Sequence, residues 1–331
     1  MNKIKYLFNR IINMNFSNFF KTINYLHKRT NKSRIVLFFD IIYCGFVYQA
    51  GYMDYKLFEM YNMNKEQRQT IITRGINNNF IKTMNNPEHY KIFNNKLLFN
   101  KTFDDYLNRE WMELSNTNYD EFLKFVKRHE EIIVKPTNGQ CGKGIEKIKV
   151  NFKNSKDTFD SLLANGQILI EEVATQVNEI NKLHPYSINT LRVVTINYKV
   201  VTAYIRIGTG KQVVDNFNSG GITTVIDIEN GKLNFPAIDK LDNLFEEHPL
   251  TKEKIVGISI PNWKEIVKYV ETLSRKIPDV KYVGWDICVS DNGPMLIEGN
   301  EFPGHDIYQL PPHRKDNIGL LPVFEKALKG E

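Results

Sequence analysis

A chain of 331 residues that is 42% hydrophobic can bury a sizeable core, and its length suits two or three domain-sized units. The net charge of +6 is concentrated in residues 1–34, where Lys3, Lys5, Arg10, Lys21, Lys28, Arg29, Lys32 and Arg34 stand with no acid; the rest is slightly acidic, which argues against a nucleic-acid binder. Three widely spaced cysteines, Cys44, Cys141 and Cys288, form no CxxC pair, which argues against a disulfide framework or a zinc site and favours a cytoplasmic setting.

In chain order, Ile4, Leu7, Phe8, Ile11, Ile12, Phe16, Phe19 and Phe20 interleave with those cations and predict a basic amphipathic helix. Such a helix either packs its apolar side on the protein body or makes peripheral contact with an anionic membrane surface, here the inner face of the cell membrane. The apolar run over 35–53 is broken by Asp40, Gly45, Gln49 and Gly51, so it is no membrane span, and no cleavable signal peptide is evident. Spacings such as Leu57, Met60 and Tyr61 continue a helical pattern to about Arg109. From residue 132 onward the texture changes to short β-rich runs at 132–136, 167–172, 191–196, 200–208, 223–228, 281–289 and 294–300, with helices near 155–164 and 262–276. The chain reads as an α+β catalytic body behind a helical N-terminal region.

Three clusters carry chemistry. Lys135 ends an apolar strand and precedes a loop with Gly139, Gly142 and Gly144, whose backbone N–H groups suit a phosphate; the competing reading is a tight hairpin with a solvated lysine. The order is not that of a P-loop. Near the C-terminus, two alternating runs flank the turn residues 291–294. That hairpin sets Asp286 and Glu298 nearly opposite each other, with Asn300 on the face of Glu298. Facing carboxylates repel unless a cation intervenes, and these hard oxygens suit Mg²⁺; the alternative is an exposed hairpin whose acids face water. Between the two clusters, Arg192 and Arg206 lie on consecutive apolar strands and want planar anions, either a transferred phosphoryl group or a structural acid such as Glu171. Asn216, with Gly220 and Gly221, offers further donors. Cations for phosphate and oxygens for a metal are what phosphoryl transfer uses.

The order of these motifs resembles the ATP-grasp superfamily, which includes D-alanine and glutamate ligases. More closely it resembles the sugar-transfer-associated ATP-grasp family, through residues 187–192, Asp215-Asn216 with Gly220-Gly221, His248-Pro249, Gly284-Trp285-Asp286 and Glu298-Gly299-Asn300. The resemblance spans about Asn94 to Leu310. It implies an ATP-grasp fold, two α+β lobes clamping ATP: residues 1–93 as a helical region, 94–175 as the lobe with the glycine loop, and 176–331 as the lobe with the metal site. By motif it makes Lys96 and Lys135 the phosphate lysines, with Glu171, Glu172 and Val173 the hinge at the adenine edge. Glu179 becomes the ribose acid, Arg206 faces the transferred phosphoryl, and Asp286, Glu298 and Asn300 are the Mg²⁺ ligands. Val177 departs from the pattern, which usually has a histidine there.

The resemblance implies a ligase. A small-molecule carboxylate is phosphorylated by ATP with Mg²⁺ and the acyl phosphate is captured by an amine, Arg192 and Arg206 meeting the developing charge; a sugar acid or amino acid of cell-surface polysaccharide synthesis is the expected substrate. A kinase acting on a hydroxyl or phosphate, and a non-catalytic nucleotide-binding scaffold for a glycosyltransferase, are the alternatives.

Overall fold

The computed structural model describes residues 14–137, 144–210, 217 and 220–330, and the chain divides into two compact units, Met1–Thr83 with Gly304–Glu331 and Met84–Pro303.

The first unit is helical among the described residues. Asn15 caps helix Phe16–Thr30 by accepting the Asn18 N–H at 3.0 Å, and Asn31 ends it in the left-handed conformation. Phe19, Ile23 and Leu26, spaced by three and four, pack with Leu37, Ile41 and Cys44 of helix Arg34–Tyr48; Tyr55, Phe58, Met60 and Ile71 belong to the same core. Polar groups that enter this core are paired. Asp40 takes two hydrogen bonds of 2.7 Å from Arg68 and one of 2.5 Å from the Tyr55 hydroxyl. Asp54 accepts the backbone N–H groups of Gly51 and Arg74 and lies 3.0 Å from His305. The expected helical N-terminal region is present, with residues 1–13 outside the described part. No helix among the described residues is long and apolar enough to cross a membrane.

The second unit holds two antiparallel sheets. The smaller contains β1 (Trp111–Glu113), β2 (Glu131–Lys135), β3 (Glu146–Lys149) and β4 (Leu169–Glu172) in the order β1-β4-β2-β3. Ile132 and Val134 alternate onto one face and pack with Ile170 against Phe122, Phe125, Phe159 and Leu162 of helices Tyr119–Arg128 and Ser155–Ala164. Ile133 and Lys135 therefore share the other face, where Glu171 pairs directly with Ile133.

The larger sheet contains β5 (Leu191–Ile196), β6 (Lys199–Ile207), β7 (Ile222–Ile226), β8 (Ala237–Ile238), β9 (Leu244–Phe245), β10 (Tyr282–Ser290) and β11 (Gly293–Asn300), ordered β11-β10-β5-β6-β7-β8-β9. Ile266, Val270 and Leu273 of helix Trp263–Leu273 and Phe99 and Phe103 of helix Lys96–Leu107 belong to its core. The β-rich runs and both interrupting helices stand where the sequence puts them, within a few residues. The sequence pattern misses β1, β3, β8 and β9. Of these β1, β8 and β9 are two or three residues long, and β3 reads Glu-Lys-Ile-Lys with three of its residues exposed.

Candidate functional site

β10 is buried along its whole length, so a charge placed in it must find a partner inside the protein. The register supplies one. Asp286 stands opposite Arg192 of β5 on one side and opposite Glu298 of β11 on the other, which makes a row of three charged residues across three strands. Arg192 Nε and Nη2 donate to the two oxygens of Asp286 at 2.5 and 3.1 Å, and Arg206 Nη2 of β6 donates to Oδ2 at 2.6 Å. Burial alone would raise the Asp286 pKa, but the two guanidiniums hold it down to about 2. Glu298 behaves oppositely: enclosure by protein, then the charge of Asp286, push its pKa up, although its side chain is open to a cavity. Gly284 gives this row its space, since a Cβ there would come within 3.0 Å of the Arg192 side chain. Trp285, on the opposite face, is anchored by donating its indole N–H to Thr195 Oγ1 at 2.9 Å.

A second charged cluster lies on the inner face of the small sheet. Glu171, only 2% exposed, accepts from Lys135 Nζ at 2.6 Å, Arg109 Nε at 2.8 Å and Asn100 Nδ2 at 2.9 Å. Burial pulls the Lys135 pKa down against the pull of Glu171, while the two cations hold Glu171 well below the ordinary carboxylate range despite burial. Two cations against one anion leave the cluster positive, and Arg109 Nη2 has no hydrogen-bond partner among the described residues.

Both clusters open on one cavity of about 430 Å³. Its walls combine Arg109, Lys135, Glu171, Arg206, Asp286 and Glu298 with the apolar side chains of Ile133, Ile145, Val173, Ile188 and Ile297. Apolar walls with a few converging charges are the usual make-up of a site for a flat, charged ligand.

The sequence-named residues divide as follows. Lys135, Glu171, Glu172, Val173, Arg206, Asp286 and Glu298 line the cavity. Arg192 stands behind it, against Asp286. Lys96 opens helix Lys96–Leu107 and donates its backbone N–H to Thr137 O at 2.9 Å, which sets it beside the residue that leads into the glycine loop. Gly144, at φ 73, is described; Gly139, Gly142 and Asn216 lie outside the described residues. Asn300 ends β11 opposite Gly284, and its side chain accepts the Phe302 N–H at 2.9 Å. Glu179 is exposed in the short helix Asn178–Asn181 and does not line the cavity. Arg109 and Asn100 escape sequence reasoning: Arg109 lies in a connection with no periodic pattern, and Asn100 resembles any helical asparagine.

Two buried histidines hold the exit of β6, the strand that carries Arg206. His248 Nε2–H donates to Gly208 O at 2.7 Å, while its Nδ1 accepts the Thr251 N–H at 3.1 Å. His184 Nε2 donates to Gly210 O at 2.6 Å. Burial lowers the His248 pKa from 6.5, so the folded protein keeps this ring neutral where the unfolded chain takes up a proton. The fold therefore loses stability as pH falls below about 6.5. Melting temperature is expected to fall more steeply between about pH 7 and 5 in the wild type than in His248→Gln, which keeps a donor but cannot titrate; parallel curves would discount His248.

The description "Sugar-transfer associated ATP-grasp" matches residues 75–319, and the chain belongs to that family. Its fold is accordingly the ATP-grasp fold, preceded by a helical N-terminal region. Among solved structures the chain is similar to the ATP-grasp ligase PsnB complexed with minimal precursor, at 13% identity over 75% of this chain and 64% of that one, with a TM-score of 0.44. It is similar also to a D-alanine–D-alanine ligase from Bacillus anthracis complexed with ATP (14%, 72% and 65%, TM-score 0.42) and to the D-cycloserine synthetase DcsG (10%, 74% and 72%, TM-score 0.42). The chain spans less than two thirds of the PsnB and ATP-bound D-alanine ligase chains. No curated protein matches the sequence.

Proposed function

We propose that this ATP-grasp protein is a carboxylate–amine ligase that works in the cytoplasm, using ATP to activate a sugar acid or an amino acid for amide formation in cell-surface polysaccharide synthesis. The observation that carries the reading is the convergence of Lys135 and Arg206 with the opposed pair Asp286 and Glu298 on one cavity. The apolar walls suit an adenine ring at the hinge Glu172 to Val173. The Glu171 carboxylate is turned inward, where it holds Lys135 and Arg109 for the phosphates.

The donor set fits Mg²⁺. Two carboxylates face each other in register, an amide stands two residues further along β11, and enclosure by protein, then the charge of Asp286, raises the Glu298 pKa. Asp286, Glu298 and Asn300 would hold Mg²⁺, which would supply neutralisation of the nucleotide phosphates. Arg192 locks Asp286 in place. Arg206 lines the cavity and meets the oxygens of the phosphoryl group as it passes from ATP to the substrate carboxylate. ADP leaves; the amine attacks the acyl carbon of the mixed anhydride, releases phosphate and gives up a proton as the amide forms. A screen for ADP release, pairing uronic acids with amino acids, is expected to find turnover only when both partners are present, and ADP release with a hydroxyl acceptor alone would favour a kinase.

Lys135→Ala removes a buried cation that Glu171 positions. ATP affinity is expected to fall about ten- to a hundredfold, the scale of one or two charged hydrogen bonds. Calorimetry giving unchanged affinity would move the phosphate site elsewhere.

A further inference from the structure

The outward side of helix Arg34–Tyr48 carries no charge. Ile35 (69% exposed), Val36, Phe39 (64%), Tyr43, Phe46 (53%) and Val47 are open to solvent, and their spacing gathers them on one side of the helix. Leu37, Ile41, Cys44 and Tyr48 fill the opposite side, inside the core. Asp40, the helix's acid, is held by Arg68 and Tyr55. A helix apolar on every side is normally covered on every side, and an exposed apolar surface of this kind marks a contact with something else.

We propose that this face seats the protein on a lipid bilayer that contains anionic headgroups. At 15 residues the helix is about 22 Å long, against roughly 20 residues for a span, so it can lie in the interface but not cross it. Phenylalanine, tyrosine and branched aliphatic side chains are what such an interfacial helix buries. Charge chooses the occupant. The chain leading into the helix carries Lys21, Lys28, Arg29, Lys32 and Arg34, and no acid precedes Asp40; of these Arg29 pairs with Glu59 and Lys32 donates to Tyr61 O. Lys21 and Lys28 are exposed. Each basic side chain near an anionic bilayer strengthens binding about fivefold. The inference does not rest on the proposed reaction.

Flotation of the full chain with phosphatidylcholine vesicles, with and without phosphatidylglycerol, tests it. The wild type is expected to float with the anionic vesicles and to be released by salt. Phe39→Ser combined with Phe46→Ser is expected to weaken partitioning at least tenfold, and Lys21→Glu combined with Lys28→Glu more than twentyfold. Because these side chains are exposed, melting temperature and lipid-free ADP release should stay at wild-type values, so a failed flotation and a failed reaction are read separately. Absence of wild-type binding to anionic vesicles, or equal binding by the serine variant, overturns the proposal. So does a wild-type dimer in sedimentation that the serine variant dissolves without any vesicle binding.

Discussion

Glu298→Gln is expected to melt at or above the wild-type temperature while losing ATP-dependent turnover by roughly a thousandfold or more. The two effects have one origin. Glu298 stands opposite Asp286 in the ladder, and the protein around it together with that like charge raises its pKa even though its side chain opens on the cavity, so replacing the carboxylate by an amide of the same shape relieves repulsion. The same replacement takes away an anionic oxygen that a hard divalent cation needs. Asp286→Asn is expected to behave differently. Asp286 is 1% exposed and is the shared partner of Arg192 and Arg206, and removing one member of a buried pair typically costs about 3–5 kcal/mol. Its lost activity would therefore be accompanied by a lower melting temperature. Thermal melts set beside ADP release over a Mg²⁺ titration decide the matter: near-normal turnover in Glu298→Gln, or a marked drop in its melting temperature, would remove the metal from this pair.

The nearness of Asp286, Glu298 and Asn300 is legible in the sequence because their geometry is local. Two alternating runs around a turn bring β10 and β11 together, and period two puts Asn300 on the side of Glu298; the register set at the turn would face Asp286 with Ile297, and only the shift between Asp286 and Ile287 sets Glu298 opposite it. The partner of Asp286 on its other side is not local: Arg192 lies 94 positions away in sequence, and only the antiparallel pairing of β5 with β10 shows that the arginine answers the aspartate. Glu171 shows the same limit. As sequence it is one of two acids at a strand end, either of which could face a ligand; the pairing of β2 with β4 turns it toward Lys135, where it also takes up Arg109 and Asn100. Helix Arg34–Tyr48 is a third case. A run apolar at nearly every position carries little periodicity to separate inside from outside, so the open face over Ile35, Phe39 and Phe46 follows only from the packing of Leu37, Ile41 and Cys44.

Hydroxylamine is expected to yield a hydroxamate from the wild type with ATP, Mg²⁺ and an acidic sugar, even when no amine substrate is supplied. An activated carboxylate is a mixed anhydride with phosphate, which this nucleophile opens readily, whereas a phosphate ester made by a kinase resists it. Arg206→Ala should suppress the trap by roughly a hundred- to a thousandfold, the usual effect of losing one donor to charge that develops in the transition state. The structure gives this variant a specific background. Arg206 lines the cavity and donates to Asp286 through Nη2, and Arg192 still holds both oxygens of Asp286 when Arg206 is removed. The fold should therefore survive the substitution better than it survives Asp286→Asn, and the rate loss belongs to the transferred group. Arg206→Lys restores a charge but not the planar fork, so it should recover only part of the trap. A stable phosphorylated sugar with no hydroxamate would turn the reading from ligase to kinase and leave the ATP-grasp fold in place. Hydroxamate formation unchanged in Arg206→Ala would instead leave the ligase standing and move the charge-stabilising role to another cation on the cavity wall, of which Arg109, whose Nη2 has no partner among the described residues, is the first to test.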